Sequence, residues 1–321
     1  GCSSPWSRRK RPPPRARSPR DLSFEPALRA DAPAKINREL RVGGLRPDGY
    51  HEIRSRVVAI DLCDSIAVAP GGGKLELSCD GLNVPCDESN LVTRAARALA
   101  ARLHRAPDAR IHLTKRIPIG SGLGGGSSDA ARTLELLCQL WEELLGADAL
   151  SDVAASLSSD APFFLVGGEA DVAGRGEVVS PRPDSESVEL LLWTPPFGIS
   201  TREVYGAHRA AAAPGEKGGR PSALDIETSG RFFGPNDLAF AVLQSRAEMG
   251  VLLDFARSLA SEAAITGSGS TIVLKGASVD DAARLAARYP EARVDRCRTL
   301  SREEYRLRTE SSGGFQWRSH K

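Results

Sequence analysis

The sequence predicts an α+β protein of two domains, with its working site in the cleft between them. Three observations carry the prediction. The chain has 321 residues, enough for two cores of ordinary size. Strand-like alternation and helix-like spacing both occur on each side of a Pro- and Ser-rich boundary, Ser180-Pro-Arg-Pro-Asp-Ser-Glu-Ser187. A glycine-rich turn, Gly120–Gly126, joins a strand pattern to a helix pattern. The expected division is a basic extension over 1–30, an N-terminal domain over 31–185, a C-terminal domain over 186–300 and a flexible tail over 301–321.

Composition narrows the function classes. Hydrophobic content of 41% and charged content of 26% suit a globular chain. No apolar run approaches the ~20 residues of a membrane span. The net charge of +2 hides an asymmetry: residues 1–30 hold eight basic and two acidic side chains, +6, which leaves −4 for the rest. A mildly acidic body argues against a nucleic-acid partner. The six cysteines show no C-x-x-C pair, so we expect reduced thiols, no zinc site and a cytoplasmic setting. The first 30 residues, rich in Arg, Pro and Ser, cannot build a core and are expected to be disordered. A dispensable extension is the favoured reading. A transit peptide, which would place the protein in a plastid, and a nucleic-acid arm stay open.

The elements then follow in order. Ala32–Val42 reads as a strand, followed by a turn at Gly43–His51. Arg54–Asp61, Ser65–Val68 and Lys74–Ser78 continue the sheet. Asn90–Leu103 is helical, with Leu91, Ala95, Ala98 and Leu99 on one face. In Arg110–Ile117 the apolar Ile111, Leu113 and Ile117 fall at even spacing, a strand. Ala130, Leu134, Leu137 and Trp141 then recur at helical spacing, with Ser127, Ser128 and Asp129 as caps. Ser151–Leu157 is a short helix, and a hairpin turns at Gly174-Arg175-Gly176. Val188–Trp193 is a buried strand, and helices are expected at Ser200 to about Ala213, Asn236–Gln244 and Arg246–Ser258. Between the first two, Pro214–Pro221 is a surface loop. Ala263–Leu274 is a glycine turn leading into a strand. Val279–Tyr289 is a helix and Ala292–Arg296 an edge strand.

The chemistry starts at the glycine turn. Glycine takes positive φ and lets backbone approach a ligand. A helix N-terminus adds unpaired N–H groups and partial positive charge, which favours phosphate. A plain flexible loop is the alternative. Gly120, Gly122 and Gly125 satisfy G-x-G-x-x-G, but a dinucleotide fold needs an acid ending the next strand. Glu142 and Glu143 lie on the helix instead. The Walker A pattern fails for want of a Lys-Ser/Thr pair after the last glycine.

Pro118-x-Gly-x-Gly-Leu-Gly-Gly-Gly-Ser-Ser128 resembles the ATP loop of the GHMP kinases, the superfamily of galactokinase, homoserine kinase and mevalonate kinase. Within it, Ala32–Asn37, Arg46–Glu52, Val84–Leu91 and Asp160–Phe164 are similar to the 4-diphosphocytidyl-2-C-methyl-D-erythritol kinases. Thr266–Ser270 resembles the superfamily's third motif. The resemblance covers roughly residues 31 to 300.

It implies a two-domain GHMP kinase fold, with an N-terminal domain like ribosomal protein S5 domain 2 and a ferredoxin-like C-terminal domain. It also implies ATP with Mg2+, and transfer of phosphate to a hydroxyl of the methylerythritol unit, giving the 2-phosphate. The expected partner is that cytidylated small molecule, handled by a monomer or homodimer. A kinase for another small alcohol such as homoserine, or a non-catalytic nucleotide-binding homologue, is the alternative.

Asp160 is the expected base and Lys35 its cationic partner, the two catalytic positions of the family. A turn acid and an exposed strand lysine are their plainer readings. Nucleotide contacts are expected from Lys115, Pro118, Ile119, Gly120, Ser121, Gly122, Leu123, Gly124, Gly125, Gly126, Ser127 and Ser128. Substrate contacts are expected from Asn37, Tyr50, His51, Tyr205, Gly267, Ser268 and Gly269. Tyr50 and Tyr205 would sandwich the cytosine and His51 would bond its edge. No magnesium ligand is assigned, with Asp129 one option. Arg38-Glu39 and Ser158-Ser159 depart from the family pattern without removing a catalytic side chain.

Overall fold

The computed structural model describes residues 25–211 and 231–312. Two strands, β1 (Leu28–Leu45) and β2 (His51–Ala69), form one long antiparallel hairpin from which both halves of the molecule are built. The outer edge of β2 serves two neighbours. Ile53–Val58 pairs with β5 (Glu169–Gly174), and Ser65–Ala69 pairs with β4 (Ala109–Lys115). β3 (Leu75–Gly81) adds parallel to β4, and β6 (Val178–Pro181) adds antiparallel to β5, completing a six-stranded sheet.

One face of this sheet packs on helices. Ile66, Ile111 and Leu113 meet Leu99 of α1 (Leu91–Arg102) and Leu134 and Leu137 of α2 (Gly125–Leu140). α3 (Ala147–Leu157) closes that core with Val153 and Ala154. Each fully buried Leu or Ile here contributes about 1.5–3 kcal/mol. A six-residue helix, α4 (Ala161–Val166), follows α3 and was not expected from the sequence.

The opposite face meets the second sheet. Ile36, Val58 and Ile60 pack against Leu190, Leu192 and Val273. The second sheet holds β7 (Glu189–Thr194), β8 (Glu262–Ile265), β9 (Ile272–Lys275) and β10 (Arg293–Arg298), in the order β10-β7-β9-β8 and antiparallel throughout. Helices α5 (Thr201–Ala211), α6 (Ala239–Ser245) and α7 (Glu248–Arg257) lie between β7 and β8 in sequence, and α8 (Val279–Arg288) between β9 and β10. This is the ferredoxin-like winding, with β10 on the expected edge. The fold is the two-part α+β architecture that the sequence predicts.

Several boundaries move. The first strand begins at Leu28, inside the stretch expected to be disordered, because Leu28 and Ala30 bury in the α1–α2 core. Arg54–Asp61 and Ser65–Val68 belong to one strand. The glycine turn after Ala263 sits inside a hairpin, β8–β9, with a strand on both sides. The largest correction concerns the tail from 301. Arg302–Thr309 is a helix, α9, closed by a Ser301–Glu304 capping box. Its Tyr305 is buried against Phe163 and Phe164, so the chain end returns to the N-terminal half. Ser312 pairs with Arg29. The expected extension over 1–24, the surface loop at 214–221 and the last residues from 313 lie outside the described residues.

Candidate active site

A cavity of about 820 Å³ runs along the junction of the two halves. The glycine turn forms much of its wall. Gly120, Gly122 and Gly124 all sit at positive φ, +64°, +79° and +71°. Gly124 is the N-cap of α2, so the helix starts at Gly125, earlier than the serines suggested. Ser127, Ser128 and Asp129 therefore lie in its first turns and are not its caps. Close packing explains the glycines at two points. A Cβ on Gly122 would stand 2.5 Å from the Thr266 carbonyl oxygen, and one on Gly124 would stand 3.0 Å from Lys35 Cε and 2.9 Å from Phe164 Cζ. The turn at Thr266–Ser270 braces the glycine turn directly: Thr271 N donates to Ser121 O at 3.1 Å. The result is a row of backbone N–H groups at a helix N-terminus, lining an open cavity.

Lys35 and Asp160 meet at the same cavity. Lys35 Nζ lies 3.3 Å from Asp160 Oδ2, with the lysine buried and the aspartate side chain 41% exposed. Asp160 stands at the N-cap position of α4 but makes no capping bond, so its carboxylate is held by the ammonium and not by the helix. Lys35 is fixed from behind. Its Nζ donates to Asn37 Oδ1 at 2.7 Å, Asn37 Nδ2 donates to Ser55 Oγ at 2.7 Å, and Lys35 N donates to Leu123 O. Asn37 N donates to Thr266 Oγ1 at 2.8 Å, tying the strand to the second half. Ser158 Oγ donates to Ser127 Oγ at 2.8 Å, which links the turn before Asp160 to α2.

Lys115 borders the cavity as expected, and it is also tied down from behind. Its Nζ donates to Asp64 Oδ2 and Asp129 Oδ2, each at 2.5 Å, and all three side chains are buried. Asp64 Oδ1 also accepts from Arg116 N and Ile117 N. Burial opposes the charge on Lys115, but the two carboxylates outweigh it and raise its pKa. Burial pushes the Asp129 carboxyl well above its ordinary range, against the pull of Lys115. The ammonium is thus a buried strut beneath Gly125, whose Cβ would meet Lys115 Nζ at 3.0 Å. The strut engages Asp129 through Oδ2, and Asp129 also borders the cavity. Among the described residues no group of three His, Cys, Asp or Glu could hold a metal.

The aromatic residues gather at the same cavity. His51 and Tyr205 stack at 5.7 Å and 27°. Tyr50 is 50% exposed, with the Arg175 guanidinium 5.1 Å from its ring centre. His51 Nδ1 lies 3.0 Å from Gly43 O, and a carbonyl only accepts, so Nδ1 carries the proton. Among the described residues the buried Nε2 has no hydrogen-bond partner. Burial raises the Tyr205 hydroxyl pKa, and the negative Asp160 adds to it, so the aromatic group and the carboxylate feel each other.

Most expected site residues share the cavity wall: Lys35, Asn37, Tyr50, His51, Lys115, Pro118 to Ser127, Asp160, Tyr205, Gly267 and Ser268. Two do not. Ser128 Oγ donates to Pro33 O at 2.7 Å inside the core. Gly269 faces Ile265, Val242 and Ile199. The sequence reading missed Arg175, Arg202 and Arg209 on the wall. Spacing could have found the last two: Arg202 and Arg209 fall three before and four after Tyr205, on one face of α5. Val84, Pro85, Asn90 and Leu91 also line the cavity, and that stretch had carried the resemblance without receiving a role.

Comparison with known proteins agrees in sequence and in shape. Residues 90–168 match the GHMP kinases N terminal domain. The chain is 40% identical over 286 residues to the 4-diphosphocytidyl-2-C-methyl-D-erythritol kinase of Salinispora tropica, spanning 84% of this chain and 90% of that protein. The enzyme of the same name from Rhodococcus jostii is 38% identical over 281 residues, spanning 84% and 89%. A solved 4-(cytidine 5'-diphospho)-2C-methyl-D-erythritol kinase superposes with a TM-score of 0.68 at 30% identity, covering 84% of this chain and 98% of that one. The mevalonate kinase of L. major superposes at 0.62 with 15% identity, which speaks to the fold alone.

Proposed function

The chain belongs to the 4-diphosphocytidyl-2-C-methyl-D-erythritol kinases of the GHMP kinase family, and from that premise we propose how its residues divide the work. The activity is ATP-dependent phosphorylation of the cytidylated methylerythritol to its 2-phosphate, in the non-mevalonate route to isoprenoid precursors. Phosphoryl transfer asks little covalent chemistry of a protein: it needs an oriented hydroxyl, a place for its proton and neutralisation of phosphate charge.

One observation carries the reading. The Lys35–Asp160 pair, 3.3 Å apart, opens on the cavity that the glycine turn and the aromatic residues also line. Asp160, the more exposed partner, accepts the proton of the attacking hydroxyl. Lys35, held by Asn37, keeps that carboxylate in place and faces the oxygen as it gains charge. The turn from Gly120 to Ser127 receives the ATP phosphates on backbone N–H groups. Val84, Pro85 and Leu91 offer apolar wall to a nucleotide base.

The cytidylated end meets Tyr50, His51 and Tyr205. The free Nε2 acceptor of His51 suits an amino group on a pyrimidine edge. Arg202 and Arg209 supply positive charge for a diphosphate. Magnesium would be carried mainly by the ATP phosphates, since no group of three acids, His or Cys gathers among the described residues, and Mg2+ would there offset phosphate charge.

The test is ADP release by the purified protein offered the cytidylated methylerythritol, homoserine or mevalonate. Turnover should be confined to the first. Equal or greater turnover of either other alcohol would overturn the reading.

A further inference from the structure

Tyr50 is exposed on a five-residue connection between β1 and β2, yet it has to present a flat ring to a ligand. Half of its surface is open, and the Arg175 guanidinium lies over its ring. An aromatic so placed would sample many positions unless its turn were fixed, and each lost position costs binding free energy when a ligand arrives.

The turn is fixed, and the fixing centres on Arg46. Within the turn, Arg46 N donates to Tyr50 O at 2.7 Å, Gly49 N to Arg46 O at 3.0 Å, and Tyr50 N to Asp48 Oδ1 at 3.1 Å. The Arg46 side chain then reaches outward. Its Nε donates to Asp48 Oδ2 at 3.2 Å, its Nη1 to Glu52 Oε2 at 2.9 Å, and its Nη2 lies 3.6 Å from Glu177 Oε1. Two of these carboxylates bond the β5–β6 hairpin: Glu52 Oε1 accepts from Gly174 N at 3.1 Å, and Glu177 Oε2 accepts from Arg175 N at 2.6 Å. Arg175 is anchored a second time, Nη2 to Ala155 O at 2.7 Å. One guanidinium thus joins the turn that carries Tyr50 to the hairpin that carries Arg175.

We infer that Arg46 is a positioning residue, which holds Tyr50 and the Arg175 hairpin together as a preformed clamp for the base of the cytidylated substrate. The inference rests on the substrate assignment above. It concerns binding alone: Arg46 lies outside the cavity wall and touches no reacting group. Exposed ion pairs are individually weak, but a guanidinium shared among three carboxylates acts as one network, and salt screens it.

The experiment has two arms. In steady-state kinetics, Arg46→Ala should raise KM for the cytidylated substrate about tenfold. It should leave kcat and the KM for ATP within about twofold of the parent, and Arg46→Lys should recover part of the loss. The parent's KM for that substrate should rise with ionic strength, and the rise should flatten in Arg46→Ala. An unchanged KM, or an equal fall in kcat, would overturn the inference. In hydrogen exchange without any substrate, Arg46→Ala or Glu177→Gln should speed exchange of residues 46–52 and 174–177 together. Faster exchange of one segment alone, or of neither, would overturn it as well. Failure of the substrate assignment would show separately, as absent turnover in the unaltered protein with the exchange coupling intact.

Discussion

Lys115 and Asp129 come from the two sides of the glycine turn and meet beneath it at 2.5 Å, with Asp64 closing the group from β2. This buried ion group holds the lysine in place where it borders the cavity. A phosphate loop built mostly of glycine has little side-chain packing of its own, so its shape is set by what lies under it.

Lys115→Met should therefore destabilise the fold. It leaves two buried carboxylates without their cation, a change of about 3–5 kcal/mol. Urea denaturation measures it. A loss under about 1 kcal/mol would mean that the group is worth no more than a surface pair. Lys115→Met, Asp129→Leu, which removes one carboxylate with the charge, should recover part of the loss.

The glycines of the turn are not equivalent. A Cβ on Gly124 would press on Lys35 Cε and Phe164 Cζ, and its φ of +71° already disfavours any side chain by about 1–2 kcal/mol. Gly124→Ala should lower kcat by displacing Lys35, the proposed partner of Asp160. Gly126, inside α2, has only Leu91 Cδ1 at 3.4 Å. Gly126→Ala should keep or raise thermal stability, since alanine is the better helix former. The pair of melting temperatures separates the two positions, and similar losses at both would contradict the packing argument.

His208 gives a pH dependence. Burial, and then the neighbouring His51, hold its pKa below the usual 6.5, against the pull of Asp237. A depressed histidine favours the folded state while it is neutral. Its contribution is full above the unfolded value near 6.5 and is lost as the pH falls through the folded value. The melting temperature should drop between about pH 6.5 and 5, and His208→Gln should shallow that slope. An identical slope in the variant would remove His208 as a cause.

Tyr50→Ala should raise KM for the cytidylated substrate and leave kcat and the KM for ATP near the parent values, because the proposed stacking involves a part of the substrate remote from the transferred group. An unchanged KM would withdraw the stacking role.

Much of the fold was legible in the sequence because period and turn chemistry are local. β4, α1 and the ferredoxin-like half follow from alternation, helical spacing and glycine turns. The same alternation held a message the reading passed over. Ile111, Leu113 and Ile117 share a parity with Lys115, so the pattern that buries them buries the lysine too.

Helix α9 was illegible for the opposite reason. Its sequence is highly charged, and only its distant partners Phe163 and Phe164 make Tyr305 a core residue. The Lys35–Asp160 contact spans 125 positions and could be expected only by resemblance. The Arg46 bridge joins two turns that no local pattern relates.

The central claim is that Asp160 takes the proton while phosphate passes to the methylerythritol hydroxyl. Phosphorus NMR of the product made from ATP and the cytidylated substrate tests it, run for the parent protein and for Asp160→Asn. A new phosphomonoester at position 2 is expected with the parent. With Asp160→Asn the expected rate is lower by about 10²–10⁴-fold, with ATP still bound. Near-parental transfer by Asp160→Asn, or phosphate released to water with no ester formed by the parent, would contradict it.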